Sequence, residues 1–261
     1  MDEWYSDDYF IARERFRDAV QGLGGRLLSY RVPSLGPGGR ELTTDVAIIG
    51  DASPSEVVLV SSGLHGIEGF FGSAVQLQLL DDLHRQHTYC SSKSWVLVHG
   101  LNPFGFAWLR RTDEQNVDLN RNFLIESDGF AGSPMGYAEL DPILNPQRWM
   151  DRWDPMVFAT RGAWLVWRRG LQQLKTIVAM GQYEFPRGLF YGGSRHSAAV
   201  SLLREHLTDW LDVAQGVLHL DLHTGLGRWA SYRLLAQGDI GPERCLELKR
   251  HFGADHVEFS D

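Results

Sequence analysis

Cysteine is almost missing from this chain: Cys90 and Cys245 are the only two in 261 residues. Two thiols cannot build a disulfide framework, and neither has a neighbouring cysteine with which to form a zinc knuckle, so both read as free thiols. A basic excess is missing too. Lys and Arg number 25 against 33 Asp and Glu, a net charge of -8, which argues against nucleic acid or an anionic membrane as the main partner because both select a basic surface. No run of about 18 apolar residues occurs, so no transmembrane helix is expected. The acidic start Met1-Asp2-Glu3-Trp4 lacks the basic and apolar regions of a secretory signal, which makes the cytoplasm the expected location. Repeats, low-complexity tracts and linkers are also lacking. What is present, 43% hydrophobic and 22% charged residues, suits one sizeable domain over 1–261 with a well-buried core.

Hydrophobic patterning orders that domain. Tyr9 to Val20 predicts a helix, Arg26 to Val32 a first strand, Pro33 to Gly39 a loop and Thr44 to Ile49 a second strand. Glu56 to Ser62 is a short β-branched run bounded by turn residues, which predicts a buried strand. After Glu68, Phe71, Val75, Leu79 and Leu83 recur at four-residue spacing with Ala74 and Leu80 beside them, a helical stripe that fades into Asp81 to Ser94. Trp95 to His99 predicts another strand. Ser127 to Trp153, rich in Gly, Pro and Asp, reads as a long structured loop. Helical patterns follow at Pro155 to Met180 and Ser197 to Ala214, then a strand at Val217 to His223, a strand near Tyr232 to Ala236 and a helix near Pro242 to Phe252. The order predicts an α/β fold: a mixed, mostly parallel twisted sheet with helices on both faces.

The chemistry-bearing residues cluster where predicted strands end. His65 and Glu68 lie three apart in Gly63-Leu64-His65-Gly66-Ile67-Glu68-Gly69, where the strand gives way to the helix. If His65 ends the strand and Glu68 falls in the first helical turn, both can converge on one ion, and the flanking glycines permit the bend. Carboxyl ends of strands are where open α/β sheets place their ligands. His223 closes a second hydrophobic strand, and two parallel strands can bring their ends together however distant in sequence. A His, Glu, His set leaves the fourth position of a tetrahedral zinc open, as in catalytic sites. The plain alternative for each histidine is a satisfied core or surface residue.

A third segment, Asn102 to Thr112 followed by Asn116 to Phe123, leaves the end of the Trp95 strand and can line the same rim. Its arginines Arg110, Arg111 and Arg121 either bind a carboxylate and polarise a carbonyl, or pair with Asp113, Glu114 and Asp118 as surface salt links. A serine hydrolase built on Ser61 or Ser62 with His65 is disfavoured because no Gly-x-Ser-x-Gly elbow surrounds either serine.

His65-Gly66-Ile67-Glu68-Gly69, the Asp118-Leu119-Asn120-Arg121-Asn122-Phe123 core and Asp221-Leu222-His223 together resemble the zinc carboxypeptidase superfamily. The likeness is greatest to a bacterial branch near the succinylglutamate desuccinylase and aspartoacylase group, to which Gln182 to Pro186 and Tyr191-Gly192-Gly193 are also similar. The resemblance implies His65, Glu68 and His223 as ligands of one Zn2+ per chain. It implies Asn120 and Arg121 for a substrate carboxylate and Arg110, with Arg111 as the adjacent alternative, for the oxyanion. Tyr191 is the candidate to orient substrate, with an ordinary packed tyrosine as its plain reading.

One part of the pattern is out of place. The resemblance sets the general-base glutamate further beyond His223 than Asp261 allows, so the domain is expected to lack its C-terminal part. Glu243 and Glu247 read as a solvated helix face, which leaves Glu258 as the candidate base. The implied function is hydrolysis of an amide bond next to a substrate carboxylate, in a peptide by a carboxypeptidase or in a small acyl-amino acid by a deacylase. A zinc- or ligand-binding homologue without turnover is the reading from a different class. The sequence leaves the oligomeric state open.

Overall fold

The computed structural model describes residues 2–51, 54–85, 93–125, 129–146, 154–211, 214–225, 228, 230–237 and 240–260. The chain divides into two compact units, Met1–His223 and Thr224–Asp261. Among the described residues, no helix is long and apolar enough to cross a membrane.

The first unit is built on five strands, β1 (Arg26–Leu35), β2 (Glu41–Gly50), β3 (Glu56–Ser62), β4 (Lys93–His99) and β5 (Gly216–Leu222), in the order β1-β2-β4-β3-β5. β2 pairs antiparallel with both β1 and β4, while β3 pairs parallel with β4 and β5. Only β2 therefore opposes the other four, and the sheet is mixed and mostly parallel, as expected. The parallel strands β3 and β4 are continuous apolar runs because both of their faces are covered. On one face Val46, Val57, Leu59, Val96 and Val98 pack with Ala199 and Trp210 of a helix at Ala198–Leu211. On the other, Ala47, Ile49, Val60 and Leu97 pack with Phe16 and Val20 of α1 (Tyr9–Gly22) and Leu80 of α2 (Gly69–Arg85). Helices cover both faces of the α/β sheet.

Several local expectations need correction. β1 runs on through Pro33 to Leu35, with an irregularity between Arg31 and Leu35, because an edge strand tolerates a missing N–H. The buried residues of α2 are Gly69, Gly72, Ser73, Ala74, Gln76, Leu77, Leu80 and Leu83; of the expected stripe Leu83 is buried, as are Ala74 and Leu80 beside it, whereas Phe71, Val75 and Leu79 are only half-buried. Gln76 is an unexpected member of the buried side: its amide nitrogen donates to Val60 O at 3.0 Å and Val98 O at 3.1 Å, and its oxygen accepts from Ser62 Oγ at 2.9 Å. The helix lies so close to β3 that a Cβ at Gly72 would sit 2.5 Å from Ser62 Cβ.

The expected loop from Ser127 to Trp153 contains a helix. After α3 (Pro103–Ala107), α4 spans Tyr137–Leu144, and its Tyr137 and Leu140 pack with Leu165, Leu174 and Ile177. Burial of those apolar residues outweighs the Gly and Pro content that suggested a loop. The expected Pro155 to Met180 helix is two, α5 (Asp154–Arg169) and α6 (Leu171–Ala179), broken at Gly170 with φ 80; the helix at Ala198–Leu211 is α7. Parts of the readings at Asp81 to Ser94, Ser127 to Trp153 and Ser197 to Ala214 lie outside the described residues, as does Cys90.

The second unit holds β6 (Leu234–Gln237) and β7 (Val257–Ser260), paired in parallel, and α8 (Pro242–Phe252). Cys245 on α8 is a free thiol.

Candidate metal centre

β3 ends at Ser62, and Gly63 (φ 69) turns the chain into the loop that carries His65. His65 has extended backbone angles and precedes a single 3₁₀ turn, Gly66–Glu68, after which Gly69 opens α2. The turn is pinned from outside. Gly66 N–H donates to Arg111 O at 3.3 Å and Ile67 N–H to Arg110 O at 3.0 Å, while a Cβ on Gly66 would lie 2.0 Å from the Gly105 carbonyl carbon. Only glycine fits that approach, so this position locks the histidine loop onto the arginine segment.

His223 follows β5 directly, and β5 pairs with β3 so that Ser62 faces Leu222. This pairing brings the distant histidine alongside the first two residues. One ligand-type atom from each of His65, Glu68 and His223 lies within 4.8 Å of the others. His65 Nδ1 is 3.0 Å from Glu68 Oε1 and His223 Nδ1 is 3.2 Å from Glu68 Oε2, with the rings 5.0 Å apart. Both Nδ1 atoms thus converge on one carboxylate. Each Nε2 meets another carboxylate: His65 Nε2 lies 3.2 Å from Asp118 Oδ1, and His223 Nε2 lies 2.5 Å from Asp221 Oδ2.

Three acids around two imidazoles shift the titrations together. Hydrogen bonds to Asp221 and then Glu68 push His223 up to about 10. Burial alone would lower His65, but its bonds to Asp118 and Glu68 outweigh that and raise it. Burial likewise works to raise Asp118 and Asp221, and their bonds to His65 and His223 leave both below the usual carboxylate range. The donor set fits zinc: two imidazoles and one carboxylate face a common point, and a carboxylate stands behind each ring, the usual outer partner of a metal-bound histidine.

Of the two adjacent arginines, Arg111 is the one at this cluster. Its Nε donates to Asp118 Oδ2 at 2.9 Å and its Nη1 lies 3.8 Å from Glu68 Oε1. Asp118 is fully buried, so the pair is no surface salt link. Arg110 is exposed and donates through Nη2 to Thr112 Oγ1 at 3.3 Å and Asn116 Oδ1 at 3.4 Å.

Asn120 is exposed on the 3₁₀ turn Leu119–Arg121, its backbone N–H donating to Asp118 Oδ1. Arg121 donates from Nη1 to Asn120 O and from Nη2 to Ala179 O, and its buried Nε has no partner among the described residues. Tyr191 packs in the core beside Val117 and Leu119. Glu258 lies on β7 of the second unit, where Arg233 is its ion-pair partner. Ser61 Oγ bonds His219 and Asp221, and Ser62 Oγ bonds Gln76. Asp118 and Asp221 had no assigned role in the sequence reading. For Asp221 a signal existed, since residues two apart on a strand share a face and it stands two before His223.

The fold is that of the carboxypeptidases. Carboxypeptidase A from Helicoverpa armigera superposes with a TM-score of 0.50 at 14% identity, over 93% of this chain and 51% of that one. Bovine thrombin-activatable fibrinolysis inhibitor, solved with tick carboxypeptidase inhibitor, gives 0.51 at 10% identity, over 98% of this chain and 76% of that one. The chain thus spans about half the length of the Helicoverpa protein, and at these identities the likeness establishes the shared fold. No curated protein matches the sequence. The model of the family described as "Protein of unknown function (DUF2817)" matches residues 5–260, and the chain belongs to that family.

Proposed function

We propose that this chain is a zinc-dependent hydrolase that cuts an amide bond next to a substrate carboxylate. The observation that carries the reading is the convergence of His65 Nδ1 and His223 Nδ1 on the two oxygens of Glu68. Zinc bound there would supply an acidified water and an electrophile for the scissile carbonyl.

The chain's own groups do the rest. Arg111, tied to Asp118 by Nε, keeps its Nη groups toward the ligand cluster, where a cation stabilises charge growing on the carbonyl oxygen. Arg110, assigned to this role by resemblance, stands outside on Thr112 and Asn116 through long bonds. The buried, unpartnered Nε of Arg121 is a donor that a substrate carboxylate would satisfy, with exposed Asn120 beside it. Such an anchor accepts either the C-terminus of a peptide or the carboxylate of an N-acyl amino acid, which defines the substrate class.

Hydrolysis of C-terminal peptides and N-acyl amino acids, measured with and without zinc, tests the reading. Arg121→Ala is expected to raise KM for both substrate types, and Arg111→Ala to lower kcat more than Arg110→Ala does. Stoichiometric zinc without turnover on either substrate type would leave a binding protein in place of an enzyme. Zinc retained at full stoichiometry in the His65→Ala, His223→Ala double variant would remove the metal centre.

A further inference from the structure

Behind His223 the sheet assembles a second polar group that the proposed reaction does not use. β3 and β5 pair with Leu59 opposite His219 and Ser61 opposite Asp221, which places Ser61, His219 and Asp221 on one face of the sheet. Ser61, 4% exposed, donates its hydroxyl to Asp221 Oδ1 at 2.6 Å, and Ser61 Oγ lies 2.8 Å from His219 Nε2. A serine hydroxyl carries one proton. With that proton committed to the carboxylate, Ser61 Oγ accepts from His219 Nε2–H.

The remaining oxygen of Asp221, Oδ2, then takes the Nε2–H of His223 at 2.5 Å. All donors point at Asp221, from His219 through Ser61 on one side and from His223 on the other. His223 Nδ1 faces Glu68 Oε2 at 3.2 Å; with the Nε2 proton held by Asp221, a cation that displaces the Nδ1 proton would meet the Nδ1 lone pair there.

We propose that Ser61 and His219 are positioning residues of the metal centre: they hold the Asp221 carboxylate so that His223 presents Nδ1 to a divalent cation. The inference rests on the metal-centre reading above. It gives Ser61 a role without nucleophilic chemistry and gives His219 a role without metal ligation.

Zinc affinity of the whole chain, read by competition with a chromophoric chelator, tests it. Ser61→Ala and His219→Leu are each expected to weaken zinc about ten- to a hundredfold, the range for loss of an outer partner of a metal ligand. The double variant should be no weaker than roughly the poorer single variant, because both act through Asp221. His219→Gln keeps an N–H donor and should bind zinc within about threefold of the parent.

A second readout separates positioning from plain stability. In the zinc-loaded protein the His223 Nε2–H proton should exchange slowly with water in the parent and in His219→Gln, and faster in Ser61→Ala and His219→Leu. Unchanged zinc affinity and exchange in folded Ser61→Ala and His219→Leu overturn the inference and leave the metal centre standing. A parent chain that takes up no zinc overturns the metal centre, and the inference with it.

Discussion

Two buried histidines stand at the ends of neighbouring parallel strands and have opposite surroundings. His65, 4% exposed, follows β3 and has a carboxylate on each ring nitrogen. His99, 0% exposed, closes β4, stacks on Phe16 at 4.6 Å, and bonds through Nε2 to Ser73 Oγ at 3.0 Å. Its Nδ1 has no partner among the described residues. Burial therefore pushes His99 down to about 4, while at His65 the carboxylate bonds overcome the same burial and raise it. A strand-end histidine becomes a cation site only when carboxylates arrive with it. Glu68 does so from the turn that follows, whereas beyond His99 the chain continues as Gly100-Leu101-Asn102-Pro103 with no acid.

The largest expected effect breaks the comparison at its centre. His65→Ala or Glu68→Ala should abolish stoichiometric zinc, and His99→Leu should retain about one ion per chain. Metal analysis by mass spectrometry reads both, and loss of zinc in folded His99→Leu would erase the distinction.

The next effect is on stability, measured with chelator present so that His65 contributes alike in both proteins. The unfolded chain takes a proton on His99 below its ordinary 6.5, but the folded chain does so only below about 4. In that window the unfolded state binds more protons, so stability falls as pH drops from 6.5 to 4. The parent should lose roughly 3 kcal/mol more than His99→Leu across it. Parallel denaturant midpoints for the two proteins over this range would contradict the burial argument.

How much of this was legible in the sequence depended on whether the signal was local. The run Glu56 to Ser62 has the bounds of β3, and His65 and Glu68 follow it on the bend that the glycines around them permit, His65 in the loop past the strand end and Glu68 in the 3₁₀ turn that leads into α2. His223 joined them through strand pairing that sequence order made plausible. What was not local was left open or missed. Arg111, in place of Arg110, turns toward Glu68 after a left-handed residue at Leu109, φ 55, and spacing does not say which of two adjacent side chains a reversed backbone sends inward. Asp118 looked like a surface acid because its partners, His65 and Arg111, are supplied by tertiary folding. Gln76 was missed on the buried side of α2 for the same reason, since a buried amide reads as polar until its carbonyl partners are known.

The smallest effects sharpen the contrast one partner at a time. Asp118 Oδ1 accepts from His65 Nε2 at 3.2 Å and from Asn120 N–H at 3.0 Å, and Oδ2 accepts from Arg111 Nε. In Asp118→Asn the carbonyl can keep the first two bonds, but the amide N–H₂ then faces the Arg111 Nε–H, donor against donor. Arg111 is left with Glu68, already 3.8 Å from its Nη1, and competes for an oxygen that the cation needs. Zinc affinity should fall about tenfold or more with the fold intact. Ser73→Ala makes the matching change at His99: it removes the bond that Nε2 makes among the described residues and leaves a buried ring nitrogen unsatisfied, at a cost of about 1–3 kcal/mol. Zinc binding should not respond. Titrating both variants with zinc and with denaturant decides the matter, because a Ser73→Ala chain that loses as much zinc affinity as Asp118→Asn would mean that the two histidines share one network and that the carboxylates do not set His65 apart.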